Sequence, residues 1–390
     1  MSTILFVSYN ELHVTWGGVH RVNRLLMDGL SDAGYRCLYL INKGGTSFYI
    51  NNKEIEENKL DINGLNSYLT EQSVRYIIDQ EGIFSDSFNL VLNSLKRTDI
   101  KLLTVFHNTP CIYEKLYGYK WLLEELKNSS QIVAKVSYAI RLSVYPLWRW
   151  FSKRQISKRY RNIYSISDKV VFLSKNDIPV FREYVPNIKE DKCVAIPNAL
   201  TFSSTSDGSI LNEKENKVLI VSRLNDNEKR ISTALRIWKI IEQTEENDWN
   251  LIIVGTGPHE SKLRQLTQEL SLQRVSFEGR QESEPYYQTA ALFMMTSAVE
   301  GWGLTLTESM QRGAVPLVFD SYPALSDIIT DGYDGCIIPD NNLELYAKRM
   351  LELMNDKMER ERIARNGLES CQRFSVEKIV EHWVNLLQKL

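Results

Sequence analysis

Cysteine is scarce and badly spaced for any framework. Cys37, Cys111, Cys193, Cys336 and Cys371 are odd in number, scattered, and form no Cys-x-x-Cys pair, which argues against a disulfide scaffold or a zinc site and for a reducing compartment. No apolar run approaches the roughly 20 residues that span a bilayer, so a membrane would be met only at its surface. The N-terminus opens directly on the strand-like run Ile4-Leu5-Phe6-Val7-Ser8, with no basic leader and no cleavage site. Together these absences predict a cytoplasmic protein. No Asp-x-Asp pair is present to hold a metal across a diphosphate, and no repeat of solenoid period is visible. A net charge of -2 gives no general attraction to nucleic acid, and no nucleic-acid recognition motif is found.

What is present is organised by alternation. At 390 residues the chain exceeds one ordinary core, which predicts two domains, and 43% hydrophobic residues suffice to fill both. Short β-branched runs alternate with longer amphipathic stretches, the pattern of βαβ units and parallel sheets. Strands are expected over residues 4–8, 37–41, 90–92, 102–106, 170–173 and 194–196, and again over 218–222, 251–255, 275–278, 292–296, 315–319 and 336–338. Between the two series, residues 201–209 are small and polar and read as a linker. The expected α/β organisation is a Rossmann-like domain over 1–200, a linker over 201–215, a second Rossmann-like domain over 216–372 and a closing helix over 373–390. Two doubly wound domains of this kind would face a cleft and bind ligands at the carboxyl ends of their strands.

The segment Glu300-Gly301-Trp302-Gly303-Leu304-Thr305-Leu306-Thr307-Glu308 carries the most chemistry. It follows an apolar run and leads to Arg312-Gly313-Ala314-Val315-Pro316, so it reads as a buried strand, a glycine-bearing turn and a helix closing at Gly313. Unpaired N–H groups and the positive dipole end at such a helix start suit a phosphorylated ligand. The two carboxylates bracket that point and can accept bonds from sugar hydroxyls. The plainer alternative is a pair of glutamates that only favour the dipole.

Upstream, the strand over 218–222 delivers Arg223 at its end, and Lys229 follows a short polar loop. Two fixed cations stabilise a leaving diphosphate without a metal; the alternative is an exposed charge run at a helix start. Gly255-Thr256-Gly257 ends another strand but lacks the third glycine of the dinucleotide fingerprint, so it either brings backbone near a nucleotide or is a structural turn. In the first half, Trp16-Gly17-Gly18 precedes a helix expected over 19–33, and paired glycines permit close approach to an anion. A plain glycine turn is the alternative there. His107 lies just past a strand end, before Asn108-Thr109-Pro110, as either a structural or a site residue.

These strings resemble the retaining glycosyltransferases of family 4, which have the GT-B fold. The likeness extends over essentially the whole chain and is strongest over 218–339. It implies transfer of a hexose from a nucleotide-diphosphate sugar, with UDP the expected carrier, to a hydroxyl of a glycan or lipid-linked saccharide in surface polysaccharide assembly. The nucleotide sugar is then a co-substrate, and neither a cofactor nor a metal is implied. By the same resemblance Glu308 binds the ribose hydroxyls and Glu300 the donor sugar, while Arg223 and Lys229 hold the diphosphate with backbone N–H groups near Trp302, Gly303 and Leu304. Gly255 and Gly257 would lie near the nucleotide, Gly17 and Gly18 near donor phosphate and acceptor, and His107 against the transferred sugar. Front-face substitution is implied, the departing phosphate helping to deprotonate the acceptor, and no covalent nucleophile is nominated. One departure is visible: the family's Lys-Gly step is Lys229-Arg230 here. Ser174 and Asn198 are assigned structural roles. An epimerase on the same fold is a rival reading, but the first half offers no convincing carboxylate set for it. A non-catalytic scaffold is another, with no chemical reason to keep both glutamates, Arg223 and Lys229.

Charge is unevenly shared, residues 1–200 holding 26 basic and 20 acidic side chains. Residues 126–167 contain nine basic residues and no acidic one. Arg141, Arg149, Lys153, Arg154, Lys158, Arg159 and Arg161 interleave there with Tyr145, Trp148, Trp150, Phe151, Tyr160 and Tyr164, a composition suited to an anionic bilayer surface. A solvated basic face over a packed helix is the alternative. Finally, Val376, Ile379, Val380, Trp383, Val384 and Leu387 recur at helical spacing. The family likeness sends this last helix back to the first domain, whereas periodicity alone permits packing on the second.

Overall fold

Consecutive apolar residues form strands covered on both faces, as parallel sheets require. The computed structural model describes residues 2–9, 17–42, 48–52, 55–82, 88, 92–93, 95, 97–116, 118–128, 131–244 and 248–390. They fall into two units, Met1–Ala199 with Val376–Leu390, and Leu200–Ser375.

The first unit holds β1 (Thr3–Ser8), β2 (Arg36–Asn42), β3 (Phe48–Asn52), β4 (Ile55–Leu60), β5 (Val74–Asp79), β6 (Lys101–Phe106), β7 (Lys169–Phe172) and β8 (Cys193–Ala195). Their order in the sheet is β4-β3-β2-β1-β5-β6-β7-β8. The sheet is parallel from β2 to β8, with β3 and β4 added antiparallel at one edge. Along β1, Ile4 and Phe6 enter one core while Leu5 and Val7 enter the core on the other face. The helices used below are α1 (Gly17–Asp32), α2 (Ile132–Ser143) and α3 (Tyr145–Ile166).

The strand expected over 90–92 falls on Leu90 and Val91, which lie outside the described residues, and on Leu92, which is helical. The strand beside β1 is β5, which is not among the strands expected from the sequence; its apolar run Tyr76-Ile77-Ile78 is short and flanked by Arg75 and Asp79.

The second unit is a six-stranded parallel sheet of β9 (Glu215–Val221), β10 (Asn250–Val254), β11 (Val275–Gly279), β12 (Ala290–Met295), β13 (Val315–Asp320) and β14 (Cys336–Pro339). Its order is β11-β10-β9-β12-β13-β14. Helices α4 (Asp226–Lys229) and α5 (Leu304–Gln311) follow β9 and β12. Residues 201–215, expected as a free linker, are built into this unit. Ile210 and Leu211 enter its core, and the Gln311 and Arg312 side chains donate to the carbonyls of Phe202 (3.1 Å) and Ser204 (2.6 Å). Its polar residues Ser203, Ser204, Asp207 and Ser209 stay exposed, while side chains of the unit bind its backbone.

The last helix, α6 (Val376–Gln388), belongs to the first unit. Ile379, Val380, Trp383, Leu386 and Leu387 join the core that contains Phe6 and Leu103, and the Tyr76 hydroxyl donates to the Leu387 carbonyl at 3.1 Å. Gly29 on α1 makes this approach possible, since a Cβ there would stand 2.4 Å from Val380 Cγ2. Truncating the buried indole, Trp383→Ala, is expected to cost about 3–5 kcal/mol. Amide exchange checks it: protection should fall in β1 and β6 and hold in β9 and β12.

Candidate functional site

In the second unit the strand order reverses between β9 and β12, so the loops leaving those strands diverge and open a crevice at their carboxyl ends. Arg223 and α4 follow β9, and Glu300 and the start of α5 follow β12. The two loops are tied together. Ala298 N donates to the Glu228 carbonyl at 2.7 Å, and the Thr296 hydroxyl lies 3.0 Å from the carbonyls of both Lys229 and Arg230. Arg230 sits at a φ of 50°, the left-handed backbone that glycine takes freely. Its guanidinium donates to the carbonyls of Thr296 and Ser297, each at 2.7 Å, and pairs with Asp340 at 2.7 Å. The arginine thus holds a left-handed turn and adds a clamp across the crevice wall.

This clamp brings Lys229 to Glu300, Nζ to Oε1 at 2.5 Å, with the two side chains 19% and 14% exposed. Arg223 is the outer cation, 64% exposed, and meets Glu228 at 2.5 Å. Glu228 is held on its other oxygen by the Asn225 amide at 3.0 Å. Burial, then the charge of Glu300, push the Tyr322 phenol well above its ordinary range, so it stays protonated beside this pair.

Gly255 and Gly257 serve the backbone. A Cβ on Gly255 would stand 1.8 Å from the Ser222 carbonyl oxygen, and one on Gly257 would stand 2.6 Å from Leu224 backbone. Bonds from Ser222 N to Val254 O (3.0 Å) and Leu224 N to Thr256 O (2.9 Å) lock the two loops together, so these glycines position Arg223. Gly303 precedes α5 at a φ of 94°. Trp302 is buried edge-on against Phe374 at 5.1 Å, and Leu304 opens the helix. Glu308 lies one turn on, fully buried, and accepts a 2.8 Å bond from the Thr201 hydroxyl.

Gly17, Gly18 and His107 belong to the first unit. The two glycines are the opening residues of α1, which starts earlier than expected, and Trp16 lies outside the described residues. His107 follows β6, and its Nε2 shares a 2.5 Å hydrogen bond with Gln80 Oε1. Burial pushes its imidazole down to about 4, so it is neutral near pH 7. Sequence reasoning overlooked Gln80, Thr201, Glu228 and Tyr322. Each is a polar or aromatic residue beside a strand end or loop, a position that signals a site only when the strand is already placed.

The basic stretch forms α2 and α3. Ile132 and Val133 are 79% and 82% exposed, and Val136, Ile140, Leu147, Trp150 and Phe151 continue an apolar surface beside the cations. Not every interleaved aromatic is on it: Tyr160 is buried and donates to the Pro110 carbonyl at 2.8 Å. Arg149 and Lys153 pair with Glu114 at 3.2 and 3.6 Å, so part of the charge is met inside the unit. Among the described residues no helix is long and apolar enough to cross a membrane, and no three His, Cys, Asp or Glu side chains gather as a metal-binding group.

Comparison with known proteins agrees with this architecture. Residues 203–370 match the family described as Glycosyl transferases group 1. The GalNAc-α-(1→4)-GalNAc-α-(1→3)-diNAcBac-PP-undecaprenol α-1,4-N-acetyl-D-galactosaminyltransferase of Campylobacter jejuni is 24% identical over 330 residues, which cover 78% of this chain and 88% of that enzyme. The poly(glycerol-phosphate) α-glucosyltransferase of Bacillus subtilis is 23% identical over 61% of this chain, but only 36% of its own length is spanned. Among solved structures, sucrose-phosphate synthase from Thermosynechococcus elongatus superposes with a TM-score of 0.72 at 17% identity, covering 100% of this chain and 99% of that one. Anabaena HepE in complex with UDP gives 0.70 at 13% identity, with both chains covered in full. The chain has the GT-B fold, and the match to that glycosyltransferase family lies in its second unit.

The partly buried imidazole of His107 makes stability depend on acid. Between about pH 6.5 and about pH 4 the unfolded chain binds a proton at His107 that the folded chain refuses. Its contribution is therefore full above pH 6.5 and is lost as the pH falls through that window, at most about 3 kcal/mol. Urea unfolding at stepped pH should show a shallower acid loss in His107→Gln than in the parent protein.

Proposed function

We propose that the chain is a retaining, metal-independent hexosyltransferase of family 4. It would move a sugar from a nucleotide-diphosphate donor, UDP-linked by preference, to a hydroxyl of a glycan or lipid-linked saccharide in surface polysaccharide assembly. One observation carries the reading: Arg223, Lys229 and Glu300 converge where the strand order of the second unit reverses, beside the N-terminus of α5. The crevice thus offers two cations for a diphosphate and a carboxylate for sugar hydroxyls. The Campylobacter relative, named for an undecaprenol-diphosphate-linked acceptor, and the solved HepE complex with UDP support the acceptor and donor classes.

In the proposed reaction Arg223 and Lys229 hold the diphosphate and stabilise the charge that grows on it as the glycosidic bond breaks. N–H groups at Trp302, Gly303 and Leu304 add to that stabilisation. Glu300, released by Lys229 when phosphate arrives, accepts bonds from the donor sugar, and Glu308 takes the ribose once Thr201 yields its place. The acceptor hydroxyl attacks from the face the phosphate leaves, passing its proton to the departing phosphate oxygen. His107, neutral and oriented by Gln80, serves as a hydrogen-bonding group to the sugar and not as an acid. The first two residues of α1, Gly17 and Gly18, are assigned to the donor phosphate and acceptor side, and Gly255 and Gly257 to the nucleotide through the loop they position.

Thermal unfolding with UDP, GDP and ADP, each with and without EDTA, tests the reading. A nucleotide at about 100 times its dissociation constant should add about 2.7 kcal/mol. The expected result is an EDTA-insensitive shift with UDP, and Arg223→Ala or Lys229→Ala lowering turnover by about 10²–10³ with the fold intact. Near-parental turnover by either variant contradicts its role, and no shift with any nucleotide favours a scaffold.

We further assign α2 and α3 to an anionic membrane surface on the cytoplasmic face, where the acceptor lipid would be met. Exposed Ile132, Val133, Ile140 and Leu147 would enter the interface, with Arg141, Arg154 and Lys158 at headgroup level. Flotation with anionic and neutral vesicles decides it. Each charge neutralised should weaken binding about fivefold, and Val133→Glu should abolish it; equal flotation with both vesicle types overturns the assignment.

A further inference from the structure

Both cations of the crevice already carry a carboxylate, and one of those carboxylates has no role in the reaction proposed above. Glu300, the partner of Lys229, is used by the sugar; Glu228, the partner of Arg223, is not. We propose that Glu228 is an internal counter-anion that occupies the diphosphate position on Arg223 and so sets how tightly the nucleotide is held. The inference rests on the reading of Arg223 as a phosphate ligand.

The geometry supports exchange more than permanent structure. The Arg223–Glu228 pair lies at 2.5 Å, yet Arg223 is 64% exposed, so solvent screens the pair and a ligand reaches the guanidinium. Glu228 is anchored independently of Arg223. Its Oε1 accepts from Asn225 Nδ2 at 3.0 Å, and its carbonyl accepts from Ala298 N at 2.7 Å. When Arg223 turns to a diphosphate, the carboxylate keeps its place on Asn225 and stands ready to recapture the arginine as the nucleotide leaves. A carboxylate beside a bound diphosphate also repels it, so the same side chain weakens binding in both states. Fast product release is the functional gain.

UDP is the probe, with affinity measured by calorimetry on the full chain. Glu228→Gln keeps shape and the Asn225 contact while removing the charge, and it should tighten UDP binding about two- to fivefold. In an Arg223→Ala background the same substitution should tighten binding by less, because the competing pair is gone. An unchanged or weaker affinity in Glu228→Gln overturns the proposal and makes Glu228 a structural residue, as would equal tightening with and without Arg223. The parent reading fails in a different way: UDP then binds the parent and Arg223→Ala proteins equally, or binds neither, and the inference falls with it. Unfolding temperatures of the four proteins separate loss of fold from loss of charge.

Discussion

The loops that leave β9 and β12 are held at a fixed separation by Arg230, and the site of the second unit depends on that constraint. One guanidinium binds the carbonyls of Thr296 and Ser297 and the carboxylate of Asp340. Strand order reverses at this point, so the loops diverge, and the Arg230 clamp adds to the Ala298 N–Glu228 carbonyl bond and the Thr296 hydroxyl contacts in holding them. Because Arg230 is adjacent to Lys229, fixing one residue aims the other: the Lys229 ammonium arrives at Glu300 across the crevice. The cost is a non-glycine residue in left-handed backbone, of order 1–3 kcal/mol, which the charge-assisted bonds to carbonyls offset.

Such an arrangement is only partly readable from residues in order. The rhythm of β-branched runs shows the parallel sheets because strands buried on both faces must be apolar throughout. β5 escapes it because Arg75 and Asp79 leave only a short apolar run, although its neighbours in the sheet make it a central strand. Arg230 is visible in the sequence as a cation beside Lys229, but its left-handed backbone is not, because the carbonyls that bind its side chain come from Thr296 and Ser297, more than sixty positions away. Periodicity shows which face of α6 is apolar and cannot name the surface that covers it; the notch at Gly29 does that.

The same limit applies to the charged residues. Arg223, Lys229 and the two glutamates stand out by type and spacing, yet their partners are set by loop geometry. Glu308 illustrates the gap. In sequence it is a helix-start glutamate facing a ligand, whereas in the structure it is fully buried on Thr201, a residue of the stretch that reads as a linker. The strap over 201–215 is therefore part of the site's wall: Gln311 and Arg312 bind its carbonyls, and its Thr201 hydroxyl binds Glu308.

The two ion pairs differ in exposure, and that difference orders events on the proposed reading. Arg223 and Glu228 stand at the outer edge, where water weakens the pair and a diphosphate can displace the carboxylate at small cost. Lys229 and Glu300 are mostly covered, so separating them without an incoming anion leaves two poorly solvated charges. A nucleotide would therefore engage Arg223 first and reach Lys229 only when its phosphate can replace Glu300 in the same step. Glu300 is then freed for the sugar at the moment the phosphate is seated, so the two ends of the donor are recognised by one exchange.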